Sequence, residues 1–157
     1  MHIPSLKILI YSLSIFFSTS AWSSDVTTIL NKKNAPSGVV FEIVSGEKGL
    51  LSKLLPIMKT DIKKLRDRFP EIPIAIVTHG TEQFDLTIKN RSKQNIAHGV
   101  VEELVKANDV EVHVCGTHAG WFGIEPEDFP DYVDVTPAGP TQINHYEELG
   151  YELIILP

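Results

Sequence analysis

Five short runs rich in β-branched and aromatic residues set the fold class. They lie at 39–44 (VVFEIV), 72–78 (IPIAIVT), 110–114 (VEVHV), 132–136 (YVDVT) and 151–156 (YELIIL). Runs of this length and type pack as strands. Between them, apolar residues recur at helical spacing. Leu51, Leu54, Leu55, Met58, Ile62, Leu65 and Phe69 form one stripe, with Lys59, Lys63, Lys64 and Arg66 mostly off it. Pro56 either kinks this helix or marks where its regular part begins, and Pro70 stops it. A second stripe of Ile96, Val100, Val101, Leu104 and Val105 predicts a helix from Asn90 to about Ala107. Gly99 within it implies close packing against the sheet. Residues 81–89 read as a loop or a short helix, and residues 116–123 as a Gly-rich irregular segment. Pro126 and the carboxylates around it suit the first turn of a short helix. Pro140 and Gly150 bracket a last one. Alternation of this kind predicts an α/β domain, with a mostly parallel five-stranded sheet and helices on both faces.

The first 23 residues read differently. A short stretch with one charge, Lys7, precedes the apolar run 8–17 and the small residues at 18–23, with Ala21 and Ser23 around Trp22. This is the pattern of a secretory signal peptide cleaved before Ser24. The apolar run is too short for the roughly 20 residues that span a bilayer. No cysteine follows it to carry a lipid anchor, and no later segment has the apolar length of a membrane span. The expected protein is periplasmic or extracellular, with no membrane attachment after cleavage. Residues 24–37 are polar and run into Pro36-Ser37-Gly38, which reads as a mobile arm before a domain at 38–157.

Charge narrows the function. The net charge is −6, with both signs mixed along the chain, so the clustered basic surface needed for nucleic acid is missing. No Gly-x-Gly-x-x-Gly or phosphate-loop element follows a strand, so no nucleotide cofactor is expected, and no Gly-x-Ser-x-Gly element marks a serine hydrolase.

In a parallel α/β sheet, ligands bind beyond the carboxyl ends of the strands. Three strand ends gather His79-Gly80, Cys115-Gly116-Thr117-His118 and Thr136-Pro137-Ala138-Gly139 at that edge. Cys115 is the only cysteine and cannot form an internal disulfide. It is either a buried inert residue or a thiolate nucleophile. A helical turn after it would aim the N–H groups of Gly116, Thr117 and His118 at the sulfur or at an anion bound there. His118 and His79 are candidate partners of the thiolate. The same three side chains, His79, Cys115 and His118, are also a possible metal set, although the Cys-x-x-His spacing has no second element to complete a structural zinc site. His113 reads as a hydrogen-bonded core residue, and His98 and His145 as exposed or satisfied. The acidic stretch from Glu125 to Asp134 lacks calcium-loop spacing. Trp121-Phe122 is a lid, a subunit contact or the edge of the core.

In the order and spacing of VVFEIV, IVTHG, VHVCG, VDVTPAGPTQI and LGYELIILP, the chain resembles the DsrE/DsrF-like family of small sulfur-metabolism proteins. The resemblance covers roughly residues 39–157, nearly all of the chain after the expected cleavage. It implies a Rossmann-like three-layer sandwich that assembles as a trimer or hexamer. It also implies a persulfide carried on the cysteine after the third strand, here Cys115, and exchange with a sulfur donor or acceptor protein or a small sulfur compound. The cytoplasmic relay members follow that cysteine with an Ala-rich turn and two arginines, whereas here the segment reads CGTHAGWFGI. The expected function is therefore a periplasmic sulfur carrier. The alternative is a non-catalytic oligomeric module that holds a small anion or a metal ion at the same strand ends.

Overall fold

A computed structural model describes residues 25–156. Residues 1–23, read from sequence as a signal peptide, lie outside the described residues. Five strands, β1 (Gly38–Ile43), β2 (Ile74–Thr78), β3 (Val110–Cys115), β4 (Asp134–Thr136) and β5 (Tyr151–Leu156), form one sheet in the order β4-β3-β2-β1-β5. Every pairing is parallel.

The helices are α1 (Val26–Leu30), α2 (Leu50–Arg68), α3 (Asn95–Asn108), α4 (Gly116–Trp121) and α5 (Gly139–Glu148). Their placement follows from handedness. Parallel crossovers are right-handed, so connections that move the same way along a sheet lie on the same face. The steps from β1 through β4 all move one way. Accordingly, residues of α2, α3 and α4 share one core with Val39, Phe41 and Ile43. The step from β4 to β5 moves back across the sheet. Its helix, α5, lies on the other face, where Ile143 and Tyr146 pack on Val40, Ala75 and Val77. The result is the expected three-layer sandwich, with a single helix on its second face.

Several local expectations change. Of the stretch 24–37, the described residues 25–37 are anchored rather than a free arm. Asp25 caps α1 by accepting the Thr28 N–H at 2.6 Å, and Ile29 is fully buried in the main core. Lys32 pairs with Glu152 of β5 at 2.6 Å, and its carbonyl accepts from Arg68 of α2 at 3.1 Å. Helix α2 runs unbroken through Pro56, because Pro56 lies on the exposed side, where its missing N–H costs least. The phase of α3 is set by Ala97, Val101 and Leu104, which turns Ile96 outward at 53% exposure and brings His98 inward. Gly99 meets nothing within 4 Å of where a Cβ would stand, so it does not mark a close helix–sheet approach. Residues 116–121 are helical rather than irregular.

On the α5 face, buried Tyr146 and His113 are satisfied locally. Tyr146 donates to Glu111 at 2.7 Å, so its oxygen is left to accept from His113 Nε2 at 2.8 Å. His113 is thus the hydrogen-bonded core residue the sequence predicts, while His145 is exposed. No helix among the described residues is long and apolar enough to cross a membrane. The burial of Ile29 makes a direct prediction: Ile29→Ala should cost about 2–5 kcal/mol in urea unfolding, whereas truncation in a loose arm would cost almost nothing.

Candidate functional site

The carboxyl edge of the sheet is organised by a 3₁₀ segment, Thr81–Leu86, that follows β2 directly. Its polar side chains point inward. Glu82 is fully buried and accepts three hydrogen bonds: from Ser45 N at 2.7 Å, Thr78 Oγ1 at 2.6 Å and Gly80 N at 2.9 Å. One carboxylate therefore ties the exit of β1 to the exit of β2. Gly80 permits this, because a Cβ there would overlap both the Glu82 carboxylate and the Ser45 backbone.

Gln83, also fully buried, accepts the Cys115 N–H through Oε1 at 2.7 Å. A backbone N–H can only donate, so this contact fixes which end of the carboxamide is oxygen. The Nε2 end is buried and has no hydrogen-bond partner among the described residues. A buried unpaired donor costs about 1–3 kcal/mol.

Asp85 accepts from Gly49 N at 3.0 Å and Leu51 N at 3.4 Å, capping α2. Burial pushes its carboxyl above the usual carboxylate range. The Asp85 carbonyl accepts from His98 Nε2 at 3.1 Å, so His98 Nδ1 is left to accept from the Tyr132 hydroxyl at 2.6 Å. Both contacts suit a neutral ring, and burial holds His98 below the usual imidazole range.

Cys115 ends β3 and is the N-cap of α4. Its sulfur accepts the His118 N–H at 3.4 Å. The expected cradle of three amides is reduced, because Thr117 N donates to the Pro137 carbonyl at 3.1 Å and Thr117 Oγ1 reaches the same oxygen at 2.6 Å. Gly116 packs close to β4, where a Cβ would stand 3.1 Å from the Thr136 carbonyl. Cys115 as a residue is only 4% exposed.

The two histidines gather near the cysteine but take other partners. His118 donates through Nδ1 to the His79 carbonyl at 2.6 Å, which leaves Nε2 with a lone pair in the neutral ring. His79 donates through Nε2 to Glu42 at 2.7 Å, and the start of α5 at Gly139 packs on its Cβ. Neither ring is hydrogen-bonded to the thiol. No group of three His, Cys, Asp or Glu among the described residues could hold a metal ion, so His79, Cys115 and His118 do not form the metal set considered from sequence. Trp121 is 77% exposed and Phe122 57%, so the pair is not the edge of the core. Their rings lie 5.6 and 5.3 Å from His118, and Phe84 stands 5.1 Å from Phe122. An open aromatic cluster thus surrounds the His118 ring.

Solved structures that share this architecture include two that match over nearly their full length. One is a protein of unknown function, MTH1491, from Methanobacterium thermoautotrophicum. It matches with a TM-score of 0.61 at 19% identity, over 75% of this chain and 97% of that one. The other is the ychN protein of E. coli, with a TM-score of 0.57 at 14% identity, over 76% and 99%. The chain shares their fold. No protein-family model matches its sequence, and no curated protein does.

The residues missed in the sequence are Glu82, Gln83, Asp85 and Glu42. The available signal was a polar run set directly after the end of a buried strand.

Two outcomes are expected. Glu82→Ala should lose at least about 3 kcal/mol, because three donors lose a charged acceptor; Glu82→Gln should recover only part, and urea unfolding measures both. Stability should also fall between about pH 7.5 and about pH 5.5. Unfolded histidine takes up a proton near about 6.5, whereas folded His98 and the similarly buried His113 refuse it until lower pH. The stability that depends on the neutral rings is therefore present above that value and is lost as pH falls toward the folded values. The raised carboxyl of Asp85 acts with the opposite sign, at lower pH. NMR titration midpoints below about 6.5 for both rings would confirm the cause.

Proposed function

We propose that this chain is an exported, DsrE/DsrF-like sulfur carrier that works in the periplasm and holds sulfane sulfur on Cys115. The observation that carries the reading is the Cys115 sulfur at the carboxyl end of β3, accepting the His118 N–H at the head of α4. A donor in that position favours the thiolate, and the thiolate is the form that attacks sulfur. The fold shared with ychN and the leader pattern of residues 1–23 are consistent with it.

The step balances without an added oxidant. The Cys115 thiolate attacks the outer sulfur of a hydropersulfide R–S–SH. A Sγ–S bond forms, the S–S bond of the donor breaks, and its electron pair leaves on the inner sulfur as the thiolate R–S⁻. The thiol proton passes to water or to the open Nε2 of His118. An acceptor thiol reverses the exchange, so one cysteine suffices. Partners on this reading are a sulfur donor, an acceptor thiol and further copies of the chain in a trimer or hexamer.

The burial of Cys115 favours a second reading, a non-catalytic oligomeric module that binds a small anion at the same edge. Intact mass separates the two. After incubation with inorganic polysulfide and removal of excess, the carrier should gain about 32 Da, one sulfur atom. Cys115→Ala should gain nothing. No gain in the wild-type protein, together with no native-state reaction with iodoacetamide, would favour the module.

A further inference from the structure

Gln83 holds an unspent pair of hydrogens beside the cysteine. Its carboxamide is fully buried, and Oε1 is committed to the Cys115 N–H at 2.7 Å. Because a carboxamide is one planar group, anchoring Oε1 on the Cys115 backbone also holds Nε2 beside that residue. Nε2 is buried and unpaired. Buried amide donors are ordinarily paired, and those that are not call for an explanation such as an absent ligand.

The donors around the sulfur make the complementary case. Sγ already takes the His118 N–H, and the Thr117 N–H is committed to Pro137. A second sulfur atom on Sγ would bring an anionic terminus into a nearly closed site, where it needs a donor of its own. The missing acceptor for Nε2 and the missing donor for that sulfur would satisfy each other. We propose that Gln83 Nε2 is the donor that holds the outer sulfur of a Cys115 persulfide, so that the buried site selects a single sulfane sulfur carried as a monoanion. This rests on the sulfur-carrier reading above. The bond needs no redox step beyond the exchange already described, because Nε2 keeps its protons and only donates a hydrogen bond.

Gln83→Glu is the informative variant, since it keeps an oxygen for the Cys115 N–H and replaces the NH₂ with oxygen. Wild-type and variant protein would be loaded with inorganic polysulfide and followed by intact mass. Circular dichroism and urea unfolding would run in parallel. The expected result is at least about tenfold less sulfur retained by the variant at equal fold, the weight of one charge-assisted hydrogen bond. Equal retention would overturn the proposal and leave the carrier reading standing. No loading of the wild-type protein would overturn both.

Should the variant not fold, ¹⁵N spectra of wild-type protein decide the question. Loading should shift the side-chain NH₂ resonances of Gln83 while those of Gln94 and Gln142 stay fixed. A purely structural Gln83 would show no such shift, and that outcome also overturns the proposal.

Discussion

The site edge hangs on the buried Glu82 carboxylate. A charge without solvent is stable only when its lone pairs are met, and here three donors from the exits of β1 and β2 meet them. With that clamp in place, the next residues have little freedom. Gln83 is delivered to the Cys115 backbone, Asp85 to the first turn of α2, and the Asp85 carbonyl to His98 of α3. Six residues without a single apolar stripe thus fasten two strand exits, a third strand end and two helices. They act as an internal strap rather than a connection.

The strap also bears on chemistry. Cys115 is held at its main chain by Gln83 and at its sulfur by the His118 N–H, and His118 is held in turn by the His79 carbonyl. The hydrogen bond to the sulfur therefore comes from a main-chain N–H, and the Gln83 carboxamide holds the backbone beside it. The imidazoles shape the site from outside, without direct bonds to the thiol. This differs from a thiolate–imidazole pair, in which the ring itself carries the compensating charge. The connection leaving β3 runs to the α2/α3 face and the one leaving β4 runs to the α5 face, so Cys115 at the end of β3 stands beside the crevice that such a reversal creates.

The sheet and its long helices were legible because apolar periodicity reports burial directly. β5 begins and ends where its run of residues does, and the inward stripe of α2 matches the leucines and isoleucines that announce it. The misplaced features share a cause. Ile29 sits in a polar stretch and is buried by helix docking that no local pattern encodes. Ile96 has the right character but falls in the first turn of α3, outside the buried phase. Glu82, Gln83 and Asp85 have the composition of a surface loop, and their partners lie on Ser45, Gly49 and Cys115, roughly 30 to 40 residues away in the chain. A hydrogen bond to a distant main-chain group leaves no mark on its neighbours in sequence. Cys115 was legible as a position, because a strand end is visible, but its burial was not.

The strand order has a kinetic side. β1 is flanked by β2 on one side and β5 on the other, and the β5 partner of Gly38 is Tyr151. Roughly a hundred residues separate those two partners, which makes their pairing a slow, long-range event. Until the final strand arrives, β1 presents a bare row of N–H and C=O groups beside a half-built core, the surface that invites pairing with other chains. A nascent chain of this topology keeps its sheet open until β5 has been synthesised. Its vulnerability is therefore concentrated in the interval just before the sheet closes, a window in which a holding chaperone would have the most to protect.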